Sequence, residues 1–112
     1  SKQFKESEVK LLSLTPPSSL FLRAELNFVI GYNYLGMDDY RKASAYFIKA
    51  GRDYSEAGYP LHKANCLYNL CICHHTLNEK EELNQRFHEL EKIATQNDPH
   101  PTLQHLILRF KS

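Results

Sequence analysis

Two groups of side chains in this sequence have the types and spacing to do chemistry. Cys71, His74 and His75 stand at i, i+3 and i+4, so on a helix they would share one face, and thiolate and imidazole are zinc ligands. A fourth ligand is still needed, and three adjacent donors on one helix serve packing and surface roles more readily than a metal site. His62 and Cys66, four residues apart, could pair as base and nucleophile, but no third orienting residue or oxyanion loop is identifiable. No catalytic residue, metal or cofactor is therefore expected. Seven tyrosines raise a third possibility, a stacking or binding surface of aromatic rings.

The composition narrows the partners. The chain has 112 residues, 42% of them hydrophobic, enough for one compact core. Its 14 basic and 13 acidic side chains are interleaved, leaving no stripe to follow a phosphate backbone, so nucleic acid is not expected as a partner. The longest nearly apolar stretch, Leu20 to Leu35, is broken by Arg23, Glu25, Asn27 and Asn33, which argues against a membrane span. Ser1 to Lys10 is charged and lacks the apolar run of a secretory signal. Cys66, Cys71 and Cys73 fall within one expected helix, with Cys66 and Cys73 roughly 10 Å apart along its axis, too far for a disulfide. An odd set of free thiols points to a reducing compartment, the cytoplasm.

Punctuation divides the chain into helical lengths: Pro16-Pro17, Gly36 to Asp39, Gly58-Tyr59-Pro60, Asn78, and Asp98-Pro99-His100-Pro101. Six segments result. The first, 3–14, carries Phe4, Val9, Leu11, Leu12 and Leu14. The second opens at Ser18 or Ser19, both competent N-caps, and runs to about Leu35. The third begins after Asp38 or Asp39 and repeats Tyr40, Ala43, Phe47 and Ala50 at helical spacing. Pro60 suits the first turn of a fourth helix reaching about Leu77. In the fifth, Asn78 and Glu81 have the spacing of a capping box, Glu82 and Arg86 form an i,i+4 pair, and Leu83, Phe87, Leu90 and Ala94 make the apolar stripe. The last, 102–110, carries Leu103, Leu106, Ile107 and Phe110. No alternating strand competes, and the short connections imply antiparallel neighbours, so the class is all-α.

The pattern also repeats. Gly31, Tyr34, Tyr40, Ala43, Phe47 and Ala50 have the spacing G-x2-Y-x5-Y-x2-A-x3-F-x2-A, which resembles the tetratricopeptide repeat. Gly31 would allow close helix approach, Ala43 and Ala50 keep the second helix thin, and Phe47 is the large knob between them. Phe87 stands as far after Cys71 as Phe47 after Gly31, a register of about 40 residues that resembles the longer-repeat branch of the family. In the second copy Cys71, His74, Lys80, Leu83 and Leu90 replace the glycine, the two tyrosines and the two alanines.

This resemblance implies a single domain over 1–112, a right-handed solenoid of antiparallel helix hairpins at 18–55 and 59–96, flanked by partial helices at 3–14 and 102–110. It further implies a non-catalytic adaptor whose concave groove takes a protein or extended peptide. The groove would be lined by the first helix of each hairpin, with Glu25, Phe28, Val29, Tyr32 and Leu35 from one and Asn65, Tyr68, Asn69, Ile72 and His75 from the next. Tyr32 and Tyr68 do not occupy the family's packing positions, and the Asn69 amide could donate to and accept from a peptide backbone. Family members that clamp a C-terminal carboxylate resemble one another in a groove lysine and asparagine. Those places here hold Phe28 and Tyr32, which favours an internal segment with apolar anchors. The alternative is a structural or oligomerisation segment of a larger helical-repeat protein, such as a peptide-sensing regulator, that self-associates through exposed terminal helices.

Overall fold

A computed structural model describes residues 19–96, and the expected helices at 3–14 and 102–110 lie outside these described residues. Four helices account for nearly all of them: α1 (Leu20–Gly36), α2 (Tyr40–Ala57), α3 (Pro60–Thr76) and α4 (Lys80–Gln96). No strand occurs among the described residues. The extensive contacts run between consecutive helices, α1 on α2, α2 on α3 and α3 on α4. None of these helices is long and apolar enough to cross a membrane.

The boundaries follow from local chemistry. Pro60, whose missing N–H is no loss in a first turn, opens α3. Asp39 caps α2 by accepting from the Lys42 N–H at 3.2 Å. Ser19 stands at the N-cap of α1, but its side chain makes no capping bond. Helix ends are closed by residues in the left-handed region: Gly58 at φ 84°, and Asp38 and Asn78 at φ 60°. Asn78 is thus a turn residue and does not open a capping box, and α4 starts at Lys80. Arg86 likewise pairs with Glu89 at 3.3 Å instead of with Glu82.

The 40-residue register is written into the backbone. Asp38 N–H donates to Leu35 O and Asp39 N–H to Tyr34 O; forty residues on, Asn78 N–H donates to His75 O and Glu79 N–H to His74 O. Both turns close their helices with the same pair of bonds. Burial follows the same offset. Ala24, Asn27, Ile30, Gly31 and Tyr34 are buried on α1, and the five α3 residues at the matching places, Ala64, Leu67, Leu70, Cys71 and His74, are buried too.

The core centres on Phe47, fully buried, with Ile30, Tyr34, Ala43, Leu67, Leu70 and Leu90 around it. A second cluster joins Ala24, Ala50, Tyr54 and Cys66. Gly31 makes the first hairpin tight, since a Cβ there would sit 3.2 Å from the Phe47 ring. In the second hairpin Cys71 fills that place and Phe87 is only half-buried.

Candidate functional site

The outward faces of α1 and α3 carry the residues singled out by the sequence. On α1, Leu22, Glu25, Val29 and Tyr32 recur at intervals of three and four, and Leu22, Val29 and Tyr32 are 56%, 55% and 60% exposed. Exposed apolar side chains of this size at helical spacing put Leu22, Val29 and Tyr32 in one strip along α1, with Glu25 between the first two. Phe28 lies beneath the strip. Its ring stacks on Tyr32 with centroids 6.3 Å apart and meets Phe47 edge-on at 5.4 Å. Phe47 therefore fixes Phe28 from the core side, and Phe28 in turn offers Tyr32 a flat platform.

Tyr68 occupies the place on α3 that Phe28 has on α1, and both are half-buried against the principal core. Ile72 is half-buried beside it along the helix, while Asn65 and His75 are exposed. Leu35, at the far end of the α1 face, is half-buried against the same core. Phe28 and Tyr32 are thus brought into ring contact, and Phe28 and Tyr68 flank one cluster.

Two of the expected contact residues are already engaged. Glu25 is exposed but accepts a hydrogen bond from the Tyr54 hydroxyl, which crosses from α2 and would otherwise be stranded in the second cluster. Burial and this bond push the Tyr54 ionisation far above its ordinary range. Asn69 is 6% exposed, and its Nδ2 donates to the Asn65 carbonyl oxygen at 2.9 Å. One of its two amide N–H groups is spent on its own helix, an i−4 bond that Asn33 also makes to Val29.

The thiols and most imidazoles of α3 are engaged in packing. Burial pushes the Cys66 and Cys71 thiols up to about 12 and the Cys73 thiol up to about 11, so all three are protonated at neutral pH. His62 sits among the rings of Phe21, Tyr54 and Tyr59. His74 is buried with Nδ1 2.9 Å from Glu79 Oε1, whereas His75 faces solvent. Among the described residues no three His, Cys, Asp or Glu side chains gather to hold a metal ion.

Sequence reasoning missed the bond that ties α1 to α2 near this face. Arg23 donates from Nε to Asp53 Oδ2 at 2.8 Å and from Nη2 to Oδ1 at 2.9 Å, a two-point pairing that raises the arginine's pKa. The signal was present. Asp53 falls inside the stripe formed by Phe47, Ala50 and Tyr54, and an acid on a buried face requires a cationic partner. No protein-family model, curated protein or solved structure matches this chain.

Proposed function

We propose that this chain is a tetratricopeptide-type adaptor that holds an extended protein segment against the α1 and α3 faces. The observation that carries the reading is the exposed strip of Leu22, Val29 and Tyr32 backed by Phe28 and continued by Tyr68 and Ile72. Rigid aromatic rings anchored from the core lose little freedom when a ligand buries them, and such residues dominate binding energies. Glu25, Asn65 and His75 supply a polar rim. No lysine or arginine stands among the groove residues, so a free carboxylate would be desolvated there without compensation, and an internal segment with apolar anchors fits better. With Asn69 Nδ2 bonded to its own helix, Tyr32 and Tyr68 carry more of the binding than the Asn69 amide. Three buried free thiols suit a reducing compartment.

The test begins with a linear peptide selected by display against the folded protein. Tyr32→Ala and Tyr68→Ala should each weaken its binding by about 1–2 kcal/mol with the urea midpoint retained. Amidating the peptide's C-terminus should leave affinity unchanged. Binding that depends on the free carboxylate, with both tyrosine variants silent, would place the ligand elsewhere.

A second reading is favoured by one asymmetry. Cys66, Asn69 and Cys73 are buried on α3, whereas at the matching places on α1 Leu26 is half-buried and Val29 and Asn33 are exposed. A structural segment would cover that side of α1 with a preceding helix. Under this reading Val29→Glu would lower stability or shift oligomeric state, and under the first it would weaken peptide binding alone.

A further inference from the structure

Away from the peptide face, α2, α3 and α4 converge on a small cleft of about 140 Å³. Its floor is apolar, made by Phe47 and Leu67, and its charged lining consists of Arg52, Lys63 and Arg86, one from each helix, with no carboxylate. Lys63 lies two residues before Asn65 and nine before Ile72, which on a helix turns it about 160–180° from both. The cleft and the peptide face are therefore on different sides of α3.

The cations are placed by the packing. Gly51 has no side chain, so the Lys63 stem lies along α2: a Cβ built on Gly51 would be 3.4 Å from Lys63 Cδ and 3.5 Å from its Nζ. The ammonium is thereby held beside the residue that precedes Arg52 in sequence. Neither Lys63 nor Arg52 has a carboxylate partner among the described residues. Arg86 reaches in from α4 with one nitrogen on Glu89, but its Nε is buried without any hydrogen-bond acceptor. A buried guanidinium N–H with nothing to donate to is costly, and two further cations beside it add repulsion. An oxyanion in the cleft would offset the repulsion among the three cations.

The geometry points to a binding site for a phosphate group, either free phosphate or a phosphorylated side chain of a partner. Three cations on three helices match the several oxygens and the double negative charge of a phosphate better than the two oxygens of a carboxylate. The volume admits a phosphate with an ordered water or two. Arg86, Lys63 and Arg52 supply charge, and the apolar floor keeps competing water off one side.

The experiment titrates the full 112-residue protein with sodium phosphate at constant ionic strength, followed by amide chemical shifts. Saturable binding with a dissociation constant on the order of 1 mM is expected, with shifts centred on Gly51, Lys63 and Arg86. Lys63→Gln and Arg86→Gln should each weaken it about tenfold, and Lys42→Gln, on the exposed side of α2, should not. Affinity for inorganic phosphate should fall on acidification through about pH 7, where its dianion gains a proton, and affinity for a phosphoserine side chain through about pH 6. The urea midpoint of each variant reports its fold, and Arg52→Gln replaces Arg86→Gln if the latter unfolds. A phosphoserine peptide binding more tightly than phosphate, with the same sensitivity to Lys63→Gln, assigns the group to a partner side chain; phosphate binding alone assigns it to a free anion. Shifts that never saturate, or equal losses in Lys63→Gln and Lys42→Gln, would overturn the site.

Discussion

Gly31 is the most closely approached of the glycines in the described helices, and substitution there tests the packing directly. A methyl group would lie 3.2 Å from Phe47 Cδ1 and Cε1 and 3.3 Å from the Ala43 carbonyl oxygen. The ring can yield by a few tenths of an ångström, but the carbonyl moves only if α2 moves with it. In a helix interior, alanine is favoured over glycine by about 0.5–1 kcal/mol, and the close contacts offset this, so Gly31→Ala should fall within about 0.5 kcal/mol of the wild type. Leucine adds three more carbons in the space of the fully buried Phe47, and overpacking of that kind costs about 1–3 kcal/mol. With a urea slope of about 1.5 kcal/mol/M the midpoint, read by far-ultraviolet circular dichroism, should drop by roughly 1–2 M. Gly51 is the control. Its built Cβ meets Cys66 Cβ and Lys63 Cδ at an ordinary 3.4 Å, so Gly51→Ala should stabilise by about 0.5–1 kcal/mol. A wild-type midpoint for Gly31→Leu, or an equal gain for the two alanine variants, would refute the argument.

The buried thiols predict an alkaline loss of stability. Their folded-state pKa values, about 12, 12 and 11, lie above the ordinary 9.0, so their contribution is complete below pH 9 and is lost as pH rises from there towards 11–12. Ionisation of the unfolded chain should cost about 1 kcal/mol per thiol at pH 10, and a urea midpoint flat from pH 8 to about 10.5 would contradict it. Removing the Asp53 charge with Asp53→Asn should destabilise by about 1 kcal/mol, a modest figure because Arg23 is 40% exposed and screened. A double-mutant cycle with Arg23→Met isolates that pair, and a coupling near zero would mean the contact contributes nothing.

Much of the scaffold was legible because its punctuation is chemically unambiguous. Pro60, Gly58 and Asp39 each suit one kind of helix end, and each stands there in the structure. Asn78 was read wrongly because asparagine suits both an N-cap and a left-handed closing position; the choice was made by the preceding helix, whose His74 and His75 carbonyls accept from the turn. The Glu82–Arg86 spacing was equally good evidence for a bond that is not made, since Glu89 one turn the other way takes the guanidinium instead. Of the candidate groove, Tyr32 stands exposed on its face as the spacing required, whereas the buried state of Asn69 depends on how α3 packs, which no local pattern encodes.

The cysteines illustrate what an enclosed helix asks of its side chains. Three thiols and three histidines lie within α3, which has α2 and α4 as its extensive neighbours and also meets α1 in the second cluster. A helix so enclosed needs small apolar side chains on several faces. Cys66 packs with Ala24, Ala50 and Tyr54, Cys73 joins the principal core, and Cys71 takes the place that Gly31 has in the first hairpin. Each is larger than alanine and smaller than valine in volume, without a second branch to clash with the preceding turn. The same enclosure that selects cysteine raises its pKa, because the thiolate would have to form where water cannot follow. Small volume and a raised pKa are therefore two consequences of one position, and the cluster on α3 marks the most crowded helix of the described fold.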